Sequence, residues 1–350
     1  MITNRNLNPQ TYRKIQAVEI GNDFCKVTRI NEFSYDDLIN NLDANKVIVK
    51  NIHVGINASE VNYTNAKYTP GIKPPFDIGM EGLGQIIAVG SNVTDKTVGT
   101  YVVYSYFGAF SEYVHIESSR AVPVPSSKPE LLGLSVSGLT ASLALSHVGH
   151  MTTGETVLVT AAAGGTGQFA VQLAKLAGNH VIGTCSSDDK VEMLKEMGCD
   201  RVINYKTEDF NAVLKKEYPR GVDIVYESVG GKFFDICLDN LASRGRLIVI
   251  GTVSTYTESG GLAGNNVNTM KLLATSRVVA GFYLLSYFEY APAHMAKMVQ
   301  YMHEGKLKVN VDNGGFKGLE QVGQAVEYLH AGKNKGKAYV TIAEDTKAKM

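Results

Sequence analysis

From about residue 14 to residue 115, apolar positions fall in short runs, many alternating with polar ones, and Gly, Asn or Pro closes each run. The stretches 47–54 (VIVKNIHV), 84–89 (GQIIAV) and 99–104 (GTYVVY) are examples, and the pattern predicts strands of a compact antiparallel barrel or sandwich. Pro123, Pro125 and Pro129 then interrupt it. Beyond Leu131, buried-type apolar runs alternate with stretches of helical period, which predicts a parallel sheet with crossover helices. Strands are predicted at 156–160, 180–184, 201–204, 222–226, 246–250 and 276–280, with helices over 188–197, 210–217 and 233–241. An aromatic segment, 281–288, precedes helices over 291–303 and 319–330 and a last strand at 336–342. The fold class is α/β.

The first of these strands (TVLVT) opens onto Ala161-Ala162-Ala163-Gly164-Gly165-Thr166-Gly167, and a helix-patterned stretch runs on to Gly178. The turn fits Gly-x-Gly-x-x-Gly with Ala162 in the first place, Gly164 in the second and Gly167 in the third. Gly164 lets the backbone approach a pyrophosphate, Gly167 lets the helix pack close to the sheet, and the free amides at the helix start attract the anion. Gly164, Gly165, Thr166 and Gly167 are therefore candidate dinucleotide-binding residues. The competing reading is a strand-to-helix turn that holds no ligand.

An NAD-preferring site usually has an Asp or Glu at the end of the second strand, roughly 20 residues after the glycines. Here that end reads Thr184-Cys185-Ser186-Ser187, so a 2′-phosphate would meet hydroxyls rather than a carboxylate. Lys190 adds a positive charge, and Tyr205, at the end of the third strand, can lay its ring and hydroxyl beside the same phosphate. NADP(H) is the expected coenzyme. Two alternatives stand: Ser187 caps a helix whose first turn holds Asp188 and Asp189, or the strand runs two residues further and delivers an acid to the ribose.

Composition narrows the class. With 44% apolar and 19% charged residues the chain reads as an ordinary globular protein, and 350 residues suggest two domains. Lys plus Arg and Asp plus Glu both number 34, so no bulk charge draws nucleic acid or an anionic membrane. No apolar run approaches the roughly 20 residues of a bilayer span, and residues 1–8 lack a signal-peptide core, so the expectation is an intracellular protein. The tripeptide Ala348-Lys349-Met350 is a loosened form of the Ser-Lys-Leu peroxisomal address, which leaves cytoplasm and peroxisome open beside a plain polar tail. Cys25, Cys185, Cys199 and Cys237 have no Cys-x-x-Cys spacing and fit reduced thiols.

The stretches 55–63 (GINASEVNY), 73–82 (KPPFDIGMEG), 161–168, 183–190 and 203–207 (INYKT) resemble the medium-chain dehydrogenase/reductase superfamily, in particular its zinc-free quinone oxidoreductase and alkenal reductase branch. The resemblance covers residues 14–342. It implies a GroES-like, mostly-β barrel catalytic domain at 1–130, a Rossmann doubly wound sheet at 131–288, and a return to the catalytic domain at 289–350. It also implies a homodimer. Zinc-dependent members have a Cys in the segment matching Ala58-Ser59 and a Gly-His-Glu triplet where this chain has Gly79-Met80-Glu81. Without thiolate or imidazole, Glu81 alone cannot hold tetrahedral zinc, and His53, His115, His147 and His150 are dispersed along the chain. No metal is expected.

Alcohol oxidation in this superfamily needs a Lewis acid, whereas reduction of an activated double bond needs alignment, donors for a developing oxyanion and a dry cleft. The resemblance therefore implies NADPH-dependent reduction of α,β-unsaturated ketones or alkenals, a large lipid-like enone such as a 15-oxo-prostaglandin being the substrate it suggests. Related reductases place a donor tyrosine at the position of Tyr68, and Tyr63 is its substitute five residues earlier. By the same resemblance Asn57 and Thr140 face the coenzyme, Ser228 lies beside a ribose, Phe282, Tyr283 and Leu284 hold the carboxamide, and Asn334 reaches the nicotinamide half. Thr140 also reads as a helix back-bond and Asn334 as a turn residue. Tyr104, Tyr106, Phe107, Tyr283, Tyr287 and Phe288 are candidates for an apolar substrate wall, although aromatic runs are more often core. Two rivals remain: a one-electron quinone reductase on the same coenzyme, and a non-catalytic NADPH-binding protein.

Overall fold

The computed structural model describes residues 9–256 and 264–345. The chain divides into two compact units. The first comprises Met1–Leu132, Asn313–Glu327 and Tyr339–Met350, and the second Gly133–Asp312 and Tyr328–Ala338. The expected return to the catalytic domain at residue 289 is therefore too early. Helix 291–303 stays with the second unit because Met298 packs against Gly138, whose Cβ position lies 3.0 Å from the Met298 sulfur.

In the first unit, β1 (Thr11–Ala17), β2 (Thr28–Ser34) and β4 (Phe76–Asp77) form a small antiparallel sheet in the order β2-β1-β4. The larger sheet is organised on β3 (Lys46–Gly55), whose inward and outward faces are both covered. It pairs with β5 (Glu81–Val89) along its length and with β7 (Tyr113–Glu117) at one end. Beyond β5 come β6 (Tyr101–Ser105) and β8 (Val122–Pro123). The short helices α1 (Phe24–Val27), α2 (Tyr35–Asn40) and α3 (Glu60–Thr64) fill the connections. Val47, Val49, Ile86, Val102, Val114 and Ile116 make the core between the strands.

Tyr104 belongs to that core, contrary to its expected place in a substrate wall. It is 1% exposed, and its hydroxyl donates to Asn51 Oδ1 at 2.7 Å. Asn51 is itself buried and donates to the carbonyls of Ala109 and Ser111, so a satisfied polar knot holds the ring inside.

The second unit is a parallel sheet of six strands, β9 (Thr156–Val159), β10 (His180–Cys185), β11 (Arg201–Asn204), β12 (Val222–Glu227), β13 (Leu241–Val249) and β14 (Val278–Gly281). Their order, β11-β10-β9-β12-β13-β14, is that of a doubly wound dinucleotide fold, with the switch point between β9 and β12. Helices α4 (Val136–Leu143), α5 (Gly165–Leu176), α6 (Asp188–Glu196), α7 (Phe210–Glu217), α8 (Gly231–Asp239), α9 (Thr269–Thr275) and α10 (Ala291–His303) cover it. Leu158, Ile182, Ile203, Phe210, Leu214, Val225 and Leu247 form its core. β15 (Val311–Asp312) pairs with Lys337 and Ala338 of β16 (Lys337–Thr341), whose later residues pair with β3, and α11 (Val322–His330) precedes it.

Contrary to the expectation of no membrane-length apolar run, Pro129–Val148 is long and apolar enough by composition to cross a bilayer, but 72% of its most apolar window is buried within the protein. It serves as core, ending in a π turn at Ala144–Val148. The tripeptide at 348–350 lies outside the described residues.

Candidate functional site

Open parallel sheets bind ligands at the carboxyl ends of the strands beside the switch point, and the glycine turn leaves β9 there. Ala161 takes a left-handed conformation, φ 47°, and the Gly164 N–H donates back to its carbonyl at 3.0 Å. Gly164 is the N-cap of α5 and no side chain caps it. The amides of Gly165, Thr166 and Gly167 thus have no intrahelical acceptor and carry the positive end of the helix. A Cβ on Gly167 would lie 2.4 Å from the Ala161 carbonyl oxygen, so only glycine lets α5 pack this closely. One on Gly164 would meet only that same oxygen, at 3.2 Å, which leaves its other side open to a ligand.

At the neighbouring tip, β10 ends with Cys185 and α6 starts at Asp188, so both acids sit in the first helical turn and not at the strand end. Asp188 Oδ1 accepts the Asn204 side-chain amide at 2.8 Å. Asp189 is ion-paired with Lys335, which draws its pKa down to about 2. Ser187 occupies the N-cap position, but its side chain makes no capping bond. Ser186 is half-buried at the tip. Lys190 is 8% exposed, and its ammonium donates to the Gly332 carbonyl at 2.6 Å; burial lowers its pKa. Tyr205 packs edge-on to Phe233, 5.0 Å between centroids, and its N–H donates to the Cys185 carbonyl, which fixes the ring beside the β10 tip. Lys335 was not among the sequence candidates; its pairing spans 146 positions, 335 less 189, and leaves no local pattern.

On the other side of the switch point stands a second residue the sequence reading missed. Glu227, fully buried at the end of β12, accepts the N–H groups of Val229 (2.8 Å) and Gly230 (3.0 Å) and the Thr160 hydroxyl (3.3 Å). Thr160 in turn accepts the Ser228 N–H at 2.8 Å. An acid closing a buried apolar strand was the available signal. Burial raises the Glu227 pKa, and the backbone donors work against that shift. Ser228 Oγ is buried and has no hydrogen-bond partner among the described residues, an orphan that a ribose hydroxyl would satisfy.

The remaining expected residues of this unit divide. Thr140 is buried on α4, and Phe282 and Leu284 are buried while Tyr283 is exposed. The Phe282 N–H donates to the Val249 carbonyl, prolonging the sheet. Tyr287 stacks on Phe282 at 5.1 Å. The Asn334 amide donates to the Gly336 carbonyl at 2.8 Å, so its donor serves a local turn.

In the first unit, Asn57 donates to Glu81 Oε1 at 2.9 Å, and Glu81 is fully buried. Ser59 Oγ lies 3.3 Å from the Met80 sulfur. A hydroxyl, a thioether and an amide-bound carboxylate therefore occupy the positions matching the zinc site, a poor donor set for zinc. Among the described residues no group of three or more His, Cys, Asp or Glu side chains could hold a metal ion. His147 is less isolated than its spacing suggests, since its Nε2 lies 3.2 Å from His294 Nε2 in the second unit. Tyr63 and Tyr68 meet edge to face at 5.4 Å, and Tyr63 meets Phe107 at 4.8 Å. Tyr106 packs against the barrel core, while Phe107 is 40% exposed.

Known proteins resemble the chain in both of its parts. A model of zinc-binding dehydrogenases matches residues 165–303, and one of the alcohol dehydrogenase GroES-like domain matches residues 43–126. Prostaglandin reductase-3 of Mus musculus is 50% identical over 313 residues, 87% of this chain and 83% of that protein. A probable quinone oxidoreductase of Leishmania amazonensis is 42% identical over 96% of this chain and 99% of its own. The structure of Escherichia coli quinone oxidoreductase complexed with NADPH superposes with a TM-score of 0.83 at 28% identity, covering 94% of this chain and 99% of that one. With that identity spread over both units, the chain belongs to the medium-chain dehydrogenase/reductase superfamily.

Proposed function

We propose that the protein is an NADPH-dependent reductase of the carbon–carbon double bond of α,β-unsaturated ketones and aldehydes. The observation that carries this reading is the 50% identity to a prostaglandin reductase across both units, and the pulegone and 2-alkenal reductases at 30% identity point the same way. The coenzyme half-site fits NADPH by its own chemistry. The amides at the start of α5 suit a pyrophosphate, the orphan Ser228 hydroxyl suits a ribose, and Ser186, Lys190 and Tyr205 suit a 2′-phosphate.

Bound NADPH supplies a hydride for the β-carbon of the enone. The chain's own share is to hold the carbonyl oxygen as negative charge gathers on it, through the hydroxyl of Tyr68 or Tyr63, and to keep water out while the hydride moves, after which a proton from solvent completes the α-carbon. The donor set at Ser59, Met80 and Glu81 supports zinc-independent chemistry. β14, at the open edge of its sheet with Val278 exposed, is the proposed surface for a homodimer, which the solution mass would test.

NADPH consumption measured over a panel of enones and quinones, with NADP+ reduction measured over alcohols, tests the reading. Turnover of enones with product reduced at the double bond supports it, and turnover of alcohols alone would sink it. The names of the Leishmania and Escherichia relatives favour one second reading, a quinone reductase. Semiquinone radicals during turnover would select it.

A further inference from the structure

Within the first unit a cavity of about 570 Å³ begins at the Tyr63–Phe107 contact and runs to β1. Its size falls in the range of small-molecule sites. Tyr63, Ile72, Phe76 and Phe107 make one part of its lining apolar, whereas Lys14, Gln16, Thr69 and Asp77 make the other part polar. The mechanism above uses only Tyr63 of these residues, and the ring of Tyr63 touches Tyr68.

The polar end is close to charge-neutral. Lys14 Nζ donates to Asp77 Oδ2 at 2.9 Å, and Gln16 Nε2 donates to Asp77 Oδ1 at 2.8 Å. The Lys14 ammonium also lies 4.3 Å above the Phe33 ring. Thr69 Oγ1 is buried with no hydrogen-bond partner among the described residues. A carboxylate entering here would meet Asp77, and the lysine that might attract it is already paired. A cation would meet Lys14. A plain hydrocarbon would leave the buried hydroxyl of Thr69 without a partner, a state that costs free energy. An alcohol suits every group present, because it donates to the spare lone pairs of Asp77 and accepts from Thr69.

We propose that this cavity receives the substrate's tail and that the substrate class is an amphiphilic enone bearing an uncharged hydroxyl group on that tail. The proposal rests on the reductase reading and adds the part of the substrate remote from the reacting bond. The experiment uses three enones with one reacting head and tails of equal length ending in methyl, hydroxymethyl or carboxylate, with kcat/KM measured for each using NADPH. The hydroxyl tail should exceed the methyl tail roughly fivefold, the factor expected of one net hydrogen bond, and should exceed the carboxylate as well. Thr69→Val and Asp77→Asn should each shrink the hydroxyl-to-methyl ratio, and Asp77→Asn should raise the carboxylate relative to both. Equal values for the three tails in the wild-type protein, or a hydroxyl preference that survives both substitutions, would overturn the proposal. A tailless enone separates the two levels: no NADPH consumption with any of the four enones removes the reductase reading and the proposal together, while consumption without tail discrimination removes the cavity assignment alone.

Discussion

The side-chain amide of Asn204 donates to Asp188 Oδ1 at 2.8 Å and so ties the ends of β11 and α6 together. With Asp189 held by Lys335, neither acid of the Asp188-Asp189 pair is left to accept a ribose hydroxyl unopposed. Lys190 is then the residue on which the proposed 2′-phosphate recognition is tested. Lys190→Ala should lower kcat/KM for NADPH roughly 10- to 100-fold, the factor of a hydrogen bond to a charged group, with far less change for NADH. Steady-state kinetics with both coenzymes test this, and equal losses would show that the lysine only braces the Gly332 carbonyl.

The two glycines of the pyrophosphate turn should separate fold from binding. Gly167→Ala places a Cβ 2.4 Å from the Ala161 carbonyl oxygen and 2.7 Å from the Ala162 Cα, so α5 must back away. Overpacking of that kind costs about 1–3 kcal/mol, read as a lower Tm without coenzyme. Gly164→Ala meets one atom at 3.2 Å and has φ −83°, which alanine accepts. Its Tm should stay near wild type while the KM for NADPH rises. A Gly164 variant as unstable as the Gly167 one would mean that the open side of Gly164 is not free for a ligand.

The turn, its flanking strand and the missing carboxylate, from which both predictions start, were legible early because all are local in sequence. What was not legible is long-range. β13 begins at Leu241 rather than at 246, because Arg244 adopts φ 65° and the register with β12 shifts there, joining two apolar stretches into one strand. Tyr104 read as a wall residue, and its burial depends on Asn51, 53 positions away. A longer separation, from residue 189 to residue 335, hid the Lys335 pairing. The aromatic residues around 282–288 read as one segment, yet Phe282 is buried, Tyr283 exposed and Tyr287 stacked on Phe282.

Tyr68 and Tyr63 compete for one role, and their environments differ. Tyr63 is 3% exposed, between Tyr68 and Phe107, whereas Tyr68 is more accessible. Tyr68→Phe should therefore reduce kcat on an enone by roughly 10²-fold, as loss of an oxyanion donor does, with KM little changed. Tyr63→Phe should leave kcat within a few-fold. The reverse ranking would transfer the donor role to Tyr63.

His53 sets an acid limit on stability. Its ring meets Tyr339 edge to face at 5.2 Å and its Nδ1 contacts the Thr341 hydroxyl at 3.1 Å. Burial pushes its pKa from 6.5 to about 4, outweighing the opposite pull of the Ser127 backbone and of Asp345 and Glu130. Above pH 6.5 the imidazole is neutral in both states and the contribution is complete. Between 6.5 and 4 the unfolded chain takes up a proton that the native fold refuses, so stability falls with falling pH. His53→Phe keeps a ring against Tyr339 but cannot titrate. Denaturant unfolding at pH 7 and at pH 4.5 should show a smaller acid loss in the variant than in the wild type, and equal losses would move the acid sensitivity to other groups.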